Sequence, residues 1–126
     1  MLEIGATADI NFTADALATA TALGSGDMPI LGTPKVVALC EEAAVKSVAN
    51  FLDEGSTTVG THISIDHVAP TPVGSSVVAT AVVIAVDGRT IEFEVSVSEL
   101  DLIVARGTHT RVIVARERFL ERLASR

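Results

Sequence analysis

The segment from Thr33 to Asp53, TPKVVALCEEAAVKSVANFLD, constrains the fold more than any other part of the chain. Its polar residues recur at helical spacing on one narrow stripe, and nearly all other positions are Val, Leu, Ala, Cys or Phe. Thr33 is predicted to be the N-cap, Pro34 suits the first helical position, and Gly55 suits a stop. The pattern therefore predicts one long helix that is buried around most of its circumference.

Glu41 breaks the pattern of this helix, because at about 100° per residue it lies roughly 120° away from the polar stripe. Its predicted neighbours on that face are aliphatic: Val37, Ala44, Val45, Val48 and Leu52. A carboxylate in such surroundings is destabilising unless it has a partner, and misplaced charges often mark functional sites. The helix alone leaves two interpretations open, a structural ion pair with an arginine from a strand or a functional carboxylate.

Composition narrows the class of protein. The 126 residues suit a single domain, 1–126, and a hydrophobic content of 48% argues against disorder. A net charge of −7 argues against nucleic acid as a partner. The one cysteine, Cys40, excludes an internal disulfide and a cysteine-based zinc site, and is predicted to lie in the core. No stretch reaches membrane-spanning length or resembles a secretion signal, so we expect a cytoplasmic protein without a membrane partner.

The remainder of the chain is predicted to be mainly β-structure, with strands at residues 3–12, 57–67, 75–86, 89–99 and 102–115. Residues 14–22 fit a short helical or irregular segment, and residues 116–124 fit a terminal amphipathic helix. Asp87-Gly88 predicts a type I′ hairpin, and Gly107 predicts a bulge or bend. One strand, one nearly buried helix and four further strands in antiparallel succession predict an α+β fold in which the sheet wraps around the helix.

Alternation in residues 57–67 predicts a core-facing set of side chains: Val59, Thr61, Ile63, Ile65 and His67. His62 falls on the opposite, polar face, where we expect it to be solvated. His67 continues the apolar face at the end of the strand. The strand alone leaves His67 open as a hydrogen-bonded core histidine or as a catalytic one.

Five motifs are spread over the chain: Thr33-Pro34 at the helix start, Glu41-Glu42 within the helix, TTVGTHISIDHVAPTPVG, an Asp-Gly hairpin, and GTHTR in the last strand. Together they resemble the hotdog-fold thioesterases related to fluoroacetyl-CoA thioesterase. The resemblance runs over nearly the whole chain and is most specific at residues 57–74. It implies an antiparallel sheet wrapped around one long central helix. It also implies an acyl-CoA substrate, of which coenzyme A is a part, with no separate cofactor and no metal.

The same resemblance implies that Thr33, Glu41 and His67 are catalytic, that Gly60 and Arg111 bind substrate, and that a homodimer forms sites between subunits. His67 suits a general base, because histidine is the side chain that most often carries protons in catalysis near neutral pH. Glu41 is open as the residue that orients His67, as the activator of water, or as a covalent nucleophile. Thr33 is open as a hydrogen-bonding residue or as a nucleophile. Candidate cations for the CoA phosphates are Lys35, Arg89, Arg106, Arg111, Arg116 and Arg118.

The loop at residues 23–32 departs from the family pattern. In the fluoroacetyl-specific enzyme, phenylalanines ahead of the helix form a lid over the acyl pocket, whereas this loop has no aromatic residue. Gly24 and Asp27 stand about where those phenylalanines would be. We therefore expect a thioesterase without a strong preference for fluoroacetyl-CoA. Two other functions remain open, a non-catalytic acyl-CoA-binding module and a hotdog hydratase or dehydratase.

Overall fold

The computed structural model describes residues 1–126. In chain order its helices are α1 (Ala20–Leu23), α2 (Thr33–Val48) and α3 (Arg116–Ala124), with short 3-10 turns at Ala16–Ala18 and Ala49–Phe51. Its strands are β1 (Thr7–Thr13), β2 (Ser56–His67), β3 (Ser76–Asp87), β4 (Thr90–Glu99) and β5 (Leu102–Ala115). None of the helices is both long enough and apolar enough to cross a membrane.

The five strands form one antiparallel sheet in the order β1-β3-β4-β5-β2. The sheet wraps around α2, which packs against β1, β2, β3 and β4, as the sequence predicts. The strands from β3 to β5 follow one another as predicted, but β2 does not lie beside β3. It crosses to the far edge of the sheet and pairs with β5. The strand that ends at His67 and the strand that carries Arg111 therefore run side by side.

Helix α2 buries one broad side in the core, through Val36, Leu39, Cys40, Ala43, Ala44 and Val48. It is not buried around most of its circumference as predicted, since the apolar residues Ala38 and Val45 are exposed. The predicted burial of Cys40 is confirmed, and this burial, with a smaller effect from Glu41, raises the pKa of the thiol to about 11. The thiol is therefore a protonated core group at neutral pH. The regular helix ends earlier than predicted, at Val48, and Gly55 (φ +83°) lies in the turn that leads into β2.

Two predicted local features take a different form. The turn between β3 and β4 is Gly88-Arg89, since Asp87 still pairs with Thr90, and only Gly88 has a positive φ (+60°). A positive φ at the first central position alone is the pattern of a type II′ turn and not of type I′. Likewise, Gly107 is not a bulge residue: the register shift between β4 and β5 lies between Val97 and Ser98. The first strand also begins later than predicted, at Thr7.

Candidate active site

Thr33 and His67 form the closest polar contact between predicted catalytic residues. Thr33 lies in the first turn of α2, and His67 is the last residue of β2. Thr33 Oγ1 is 2.8 Å from His67 Nδ1. The other ring nitrogen, Nε2, is buried and has no hydrogen-bond partner within the chain. The pair therefore combines an oriented imidazole with one nitrogen still able to exchange a proton.

The prediction that Thr33 caps α2 is wrong, and this matters for the site. Gly32 occupies the N-cap position, and no side chain hydrogen-bonds to the free amides of the first turn. A capping threonine turns its hydroxyl towards those amides. Because Gly32 supplies the extended backbone of the cap, the Thr33 hydroxyl is directed at His67 instead.

A cleft of about 390 Å³ contains both Thr33 and His67 in its wall. The loop before α2, from Ser25 to Gly32, and the turn after β2, from Val68 to Pro70, supply most of the remaining lining. No Phe, Tyr or Trp is among the thirteen lining residues. The absence of Phe, Tyr and Trp in the loop thus extends to the whole cleft.

Glu41 lies farther along α2 and has a different partner. Arg111 of β5 donates from Nη1 to Glu41 Oε2 over 3.5 Å. The arginine side chain is 8% exposed and the glutamate side chain 41%, so Glu41 stands at the margin of the buried face and not within it. Burial lowers the pKa of Arg111, and the neighbouring Glu41 opposes that shift. The ion pair suggested as one interpretation of Glu41 is present, with Arg111 as its partner.

His109 is part of this second group and was not predicted from the sequence. It is buried in β5, and its Nε2 lies 3.2 Å from Arg111 Nη1. Arg111 also donates from Nε to Thr58 Oγ1 over 2.8 Å and from Nη2 to the Thr58 carbonyl over 3.0 Å. His109 and Arg111 are two residues apart in GTHTR and so share one face of the strand. That spacing was the available signal for a buried polar pair.

The predicted faces of β2 are wrong in its first half, because the register with β5 shifts between Gly60 and His62. Thr61 is the extra residue of this bulge and is exposed, whereas Thr58 is buried. One inserted residue exchanges the two faces of a strand. Beyond the bulge the prediction is confirmed, since the two isoleucines pack against the core and His62 is exposed.

Gly60 lies against Glu41 and its partners. A Cβ at this position would stand 3.0 Å from Glu41 Oε2 and 3.2 Å from both Arg111 Nη1 and His109 Cε1. These contacts are tighter than side chains normally make, so a residue larger than glycine would displace the Glu41 carboxylate. The structure therefore groups Gly60, Glu41 and Arg111 together, and groups Thr33 and His67 together.

The two groups are separate within the chain. Glu41 follows Thr33 by eight residues of α2, which is about 12 Å at about 1.5 Å per residue. No hydrogen bond joins Glu41 to Thr33 or to His67. No three His, Cys, Asp or Glu side chains lie close enough together to hold a metal ion.

The candidate cations for CoA phosphates are dispersed over the molecule. Arg89 and Arg118 line a second cleft of about 190 Å³ together with Arg122, between β5 and α3. Lys35 lies elsewhere, with its Nζ 4.5 Å from the centroid of the Phe12 ring. The second cleft is therefore the place where several free guanidinium groups come together.

Comparisons with known proteins agree with this architecture. A solved structure of a fluoroacetyl-CoA thioesterase superposes with a TM-score of 0.92 and 27% identity, and the match covers 100% of this chain and 98% of that one. A hot-dog-like protein from Thermanaerovibrio acidaminovorans superposes with a TM-score of 0.90 and 21% identity, over 98% of this chain and 92% of that one, which shows the fold alone. The predicted α+β hotdog fold is confirmed.

Sequence comparisons identify the family. A fluoroacetyl-CoA thioesterase from Streptantibioticus cattleyicolor is 34% identical over 90 residues, which make up 71% of this chain and 65% of that protein's length. The family described as fluoroacetyl-CoA-specific thioesterase matches residues 13–117, the greater part of the chain. The chain therefore belongs to the family of fluoroacetyl-CoA-specific thioesterases.

Proposed function

We propose that this protein is a thioester hydrolase that converts an acyl-CoA, most readily a short-chain one, into the free acid and CoA. The observation that carries the proposal is the 2.8 Å contact between Thr33 and His67 in the wall of a cleft, in a member of a thioesterase family. Hydrolysis of a thioester needs a nucleophile, a proton carrier and stabilisation of the developing oxyanion. His67 in the cleft supplies the proton carrier, and Glu41, which pairs with Arg111 about 12 Å farther along α2, supplies the carboxylate.

Proton transfer is assigned to His67, and activation of the nucleophile is assigned to Glu41. His67, oriented by Thr33 through Nδ1, exchanges the proton at Nε2, the nitrogen without a partner. Glu41 is the carboxylate that activates water or attacks the carbonyl carbon. The buried Arg111 guanidinium pairs with the Glu41 carboxylate and balances its charge. Gly60 has no side chain, and this lets the substrate carbonyl approach. No separate cofactor is required for this chemistry, since CoA is part of the substrate.

We propose that the protein acts as a homodimer, with each site drawing on both subunits. Two observations support this. Glu41 lies about 12 Å from Thr33 along one helix, too far for the two side chains to act on one carbonyl. Val45 and Phe51, which follow Glu41, are 45% and 43% exposed, and β2 is an unpaired sheet edge. A second copy can cover both surfaces and bring its Glu41 to the Thr33–His67 pair.

We further propose that the nucleotide phosphates of CoA bind near the cleft of Arg89, Arg118 and Arg122. Phosphate oxygens pair well with guanidinium groups, and no carboxylate forms a salt bridge with these three arginines in the structure. Replacing Arg118 and Arg122 by Gln should raise KM for acyl-CoA with little change in kcat.

We also propose a cytoplasmic location for this domain, which cell fractionation tests.

The acyl specificity follows from the cleft. Its lining contains no Phe, Tyr or Trp and so gives little contact area for rejecting related acyl groups. One methylene or fluorine is worth only about 1–3 kcal/mol of discrimination. We expect fluoroacetyl-CoA to be favoured over acetyl-CoA by less than about 10⁴ in kcat/KM. The experiment measures free thiol release from fluoroacetyl-, acetyl-, branched and longer acyl-CoAs.

A binding assay and an enoyl-CoA substrate extend that screen, and each result has a defined meaning. A preference for fluoroacetyl-CoA above about 10⁴ would contradict the expectation about specificity. Binding of acyl-CoA without thiol release would indicate a non-catalytic binding module. Addition of water to an enoyl-CoA without hydrolysis would indicate a hydratase.

A further inference from the structure

His109 makes three specific contacts through its ring, although it is not among the proposed catalytic residues. It is 1% exposed, and Nδ1 lies 2.7 Å from the carbonyl oxygen of His62, directly after the bulge in β2. Nε2 lies 3.2 Å from Arg111 Nη1. The ring of Phe93 stacks on it, with centroids 5.8 Å apart and planes at 28°.

These contacts determine the protonation state of the ring. A carbonyl oxygen only accepts hydrogen bonds, so Nδ1 carries the proton and donates to His62. Every nitrogen of Arg111 only donates, so Nε2 must present its lone pair to Nη1. Burial lowers the pKa of His109, and the charge of Arg111 lowers it further, against the opposing effects of the His62 carbonyl and Glu41. His109 is therefore the neutral Nδ1–H tautomer.

The Arg111 guanidinium is held by four hydrogen bonds from its five N–H groups. Two go to Thr58, one to His109 and one to Glu41. The bonds from Nε and Nη2 hold one edge of the planar group, and His109 accepts from the opposite corner, Nη1. Since Nη1 has two hydrogens, the one taken by His109 directs the other at Glu41 Oε2.

We infer that His109 is a positioning residue that acts through Arg111 on Glu41. Its Nε2 lone pair fixes the Nη1 corner of the guanidinium, and Nη1 in turn holds the Glu41 carboxylate in place beside Gly60. The inference rests on the proposed function in that Glu41 is taken to act on the thioester. The orientation of Arg111 itself is independent of any substrate.

Three substitutions separate the two polar functions of the ring. His109→Gln places an amide oxygen near the position of Nε2 and keeps an acceptor for Arg111. His109→Asn places an amide nitrogen near Nδ1, which keeps the donor to the His62 carbonyl and removes the acceptor. His109→Phe keeps the stacking on Phe93 and removes both. Thr108→Ala, an exposed neighbour in the same strand, is the matched control.

We expect His109→Asn and His109→Phe to lower kcat for the best acyl-CoA about tenfold or more with KM nearly unchanged, because an interaction with a charged group is lost. The kcat of His109→Gln should stay within about threefold of the wild-type kcat, and the kcat of Thr108→Ala should equal the wild-type kcat. In an Arg111→Gln background, His109→Asn should have little further effect, because His109 acts only through Arg111.

A spectroscopic measurement tests the inference without substrate. In ¹⁵N NMR spectra, the Arg111 Nη1 signal should keep its wild-type position in His109→Gln and should shift or broaden in His109→Asn, whereas the bonds to Thr58 keep Nη2 in place in both. Unchanged Arg111 signals and wild-type kcat in His109→Asn would overturn the inference. Equal losses in all three variants, in proportion to lost thermal stability, would also overturn it. If the wild type hydrolyses no acyl-CoA, the proposed function fails, and the Arg111 signals still decide whether His109 holds the guanidinium.

Discussion

Thr33, His67 and Glu41 are the residues at which the proposed chemistry is most directly tested. His67→Ala and Glu41→Gln should each reduce turnover by a factor of about 10² or more, because each removes a group that moves a proton or activates the nucleophile. Thr33→Ala should cause a smaller loss, about tenfold, since one hydrogen bond to the imidazole is removed and the base remains. Steady-state kinetics with the best acyl-CoA measures all three.

The control for these variants is His62→Ala. The His62 side chain is exposed, and only its backbone carbonyl takes part in the network around His109. Turnover should therefore remain near the wild-type value, and circular dichroism should show an intact fold in every variant. A large effect at His62 together with none at His67 would contradict the assignment of the catalytic histidine.

His109 also makes stability depend on pH. Burial lowers its pKa below the ordinary 6.5, so the folded protein keeps the ring neutral. The contribution to stability is complete above pH 6.5. As the pH falls below 6.5, the unfolded chain takes up a proton that the folded protein does not, and the free energy of unfolding decreases until the folded-state pKa is reached.

Urea denaturation at pH 8.0, 7.0, 6.0 and 5.5 measures this dependence. We expect the wild type to lose stability over the lower part of the range and His109→Gln to lose less, because glutamine does not titrate. If the free energy of unfolding fell equally with pH in the two proteins, His109 would not be the group that takes up the proton on unfolding.

Among the elements, the pairing of β2 with β5 depends on the small size of Gly107. A Cβ at Gly107 would overlap the backbone carbonyl of Ser64 and approach the Cα of Ile65, so the two backbones pass closer than a side chain permits. Gly107→Ala should therefore destabilise the protein by about 3 kcal/mol or more, because the backbones of β2 and β5 must move apart to fit the added methyl group.

Gly26→Ala is the matched control for stability, since its added Cβ meets only Ala20 Cβ at an ordinary 3.4 Å. Urea denaturation compares the two variants. A Gly107→Ala protein as stable as Gly26→Ala would mean that the two strands are spaced differently from the structure.

At the scale of the whole molecule, the separation of Glu41 from Thr33 and His67 leads to a prediction about assembly. Sedimentation at micromolar concentration should give about twice the 13.0 kDa chain mass. Mixing Glu41→Gln with His67→Ala should restore part of the activity, because one of the two sites in the mixed dimer would contain Glu41 from one chain and His67 from the other.

Either variant alone is the control for the mixing experiment and should remain inactive. A monomer that hydrolyses acyl-CoA would contradict the dimer proposal. A mixed dimer without activity would show that Glu41 and His67 act from the same chain.

Several features of this protein follow from local sequence alone. Alternating strands and the apolar circumference of residues 33–53 are properties of neighbouring residues, so the strand positions and the wrapped helix were predictable. Burial of Cys40 and exposure of His62 followed from the same periodicities. Glu41 and His67 were recognisable because each interrupts or extends an apolar face, and the family resemblance added Thr33, Gly60 and Arg111.

Other features were decided only when distant segments met. The bulge at Thr61 exchanges the faces of β2, and no local pattern marks it, because it depends on the register with β5. Thr33 contacts His67 instead of capping α2 because β2 ends beside the start of the helix. His109 contacts Arg111 in its own strand and the His62 carbonyl in β2, and these contacts exist only because the two strands are paired. Hydrogen bonds and close backbone approaches between residues far apart in the chain depend on tertiary geometry, and sequence periodicity does not encode that geometry.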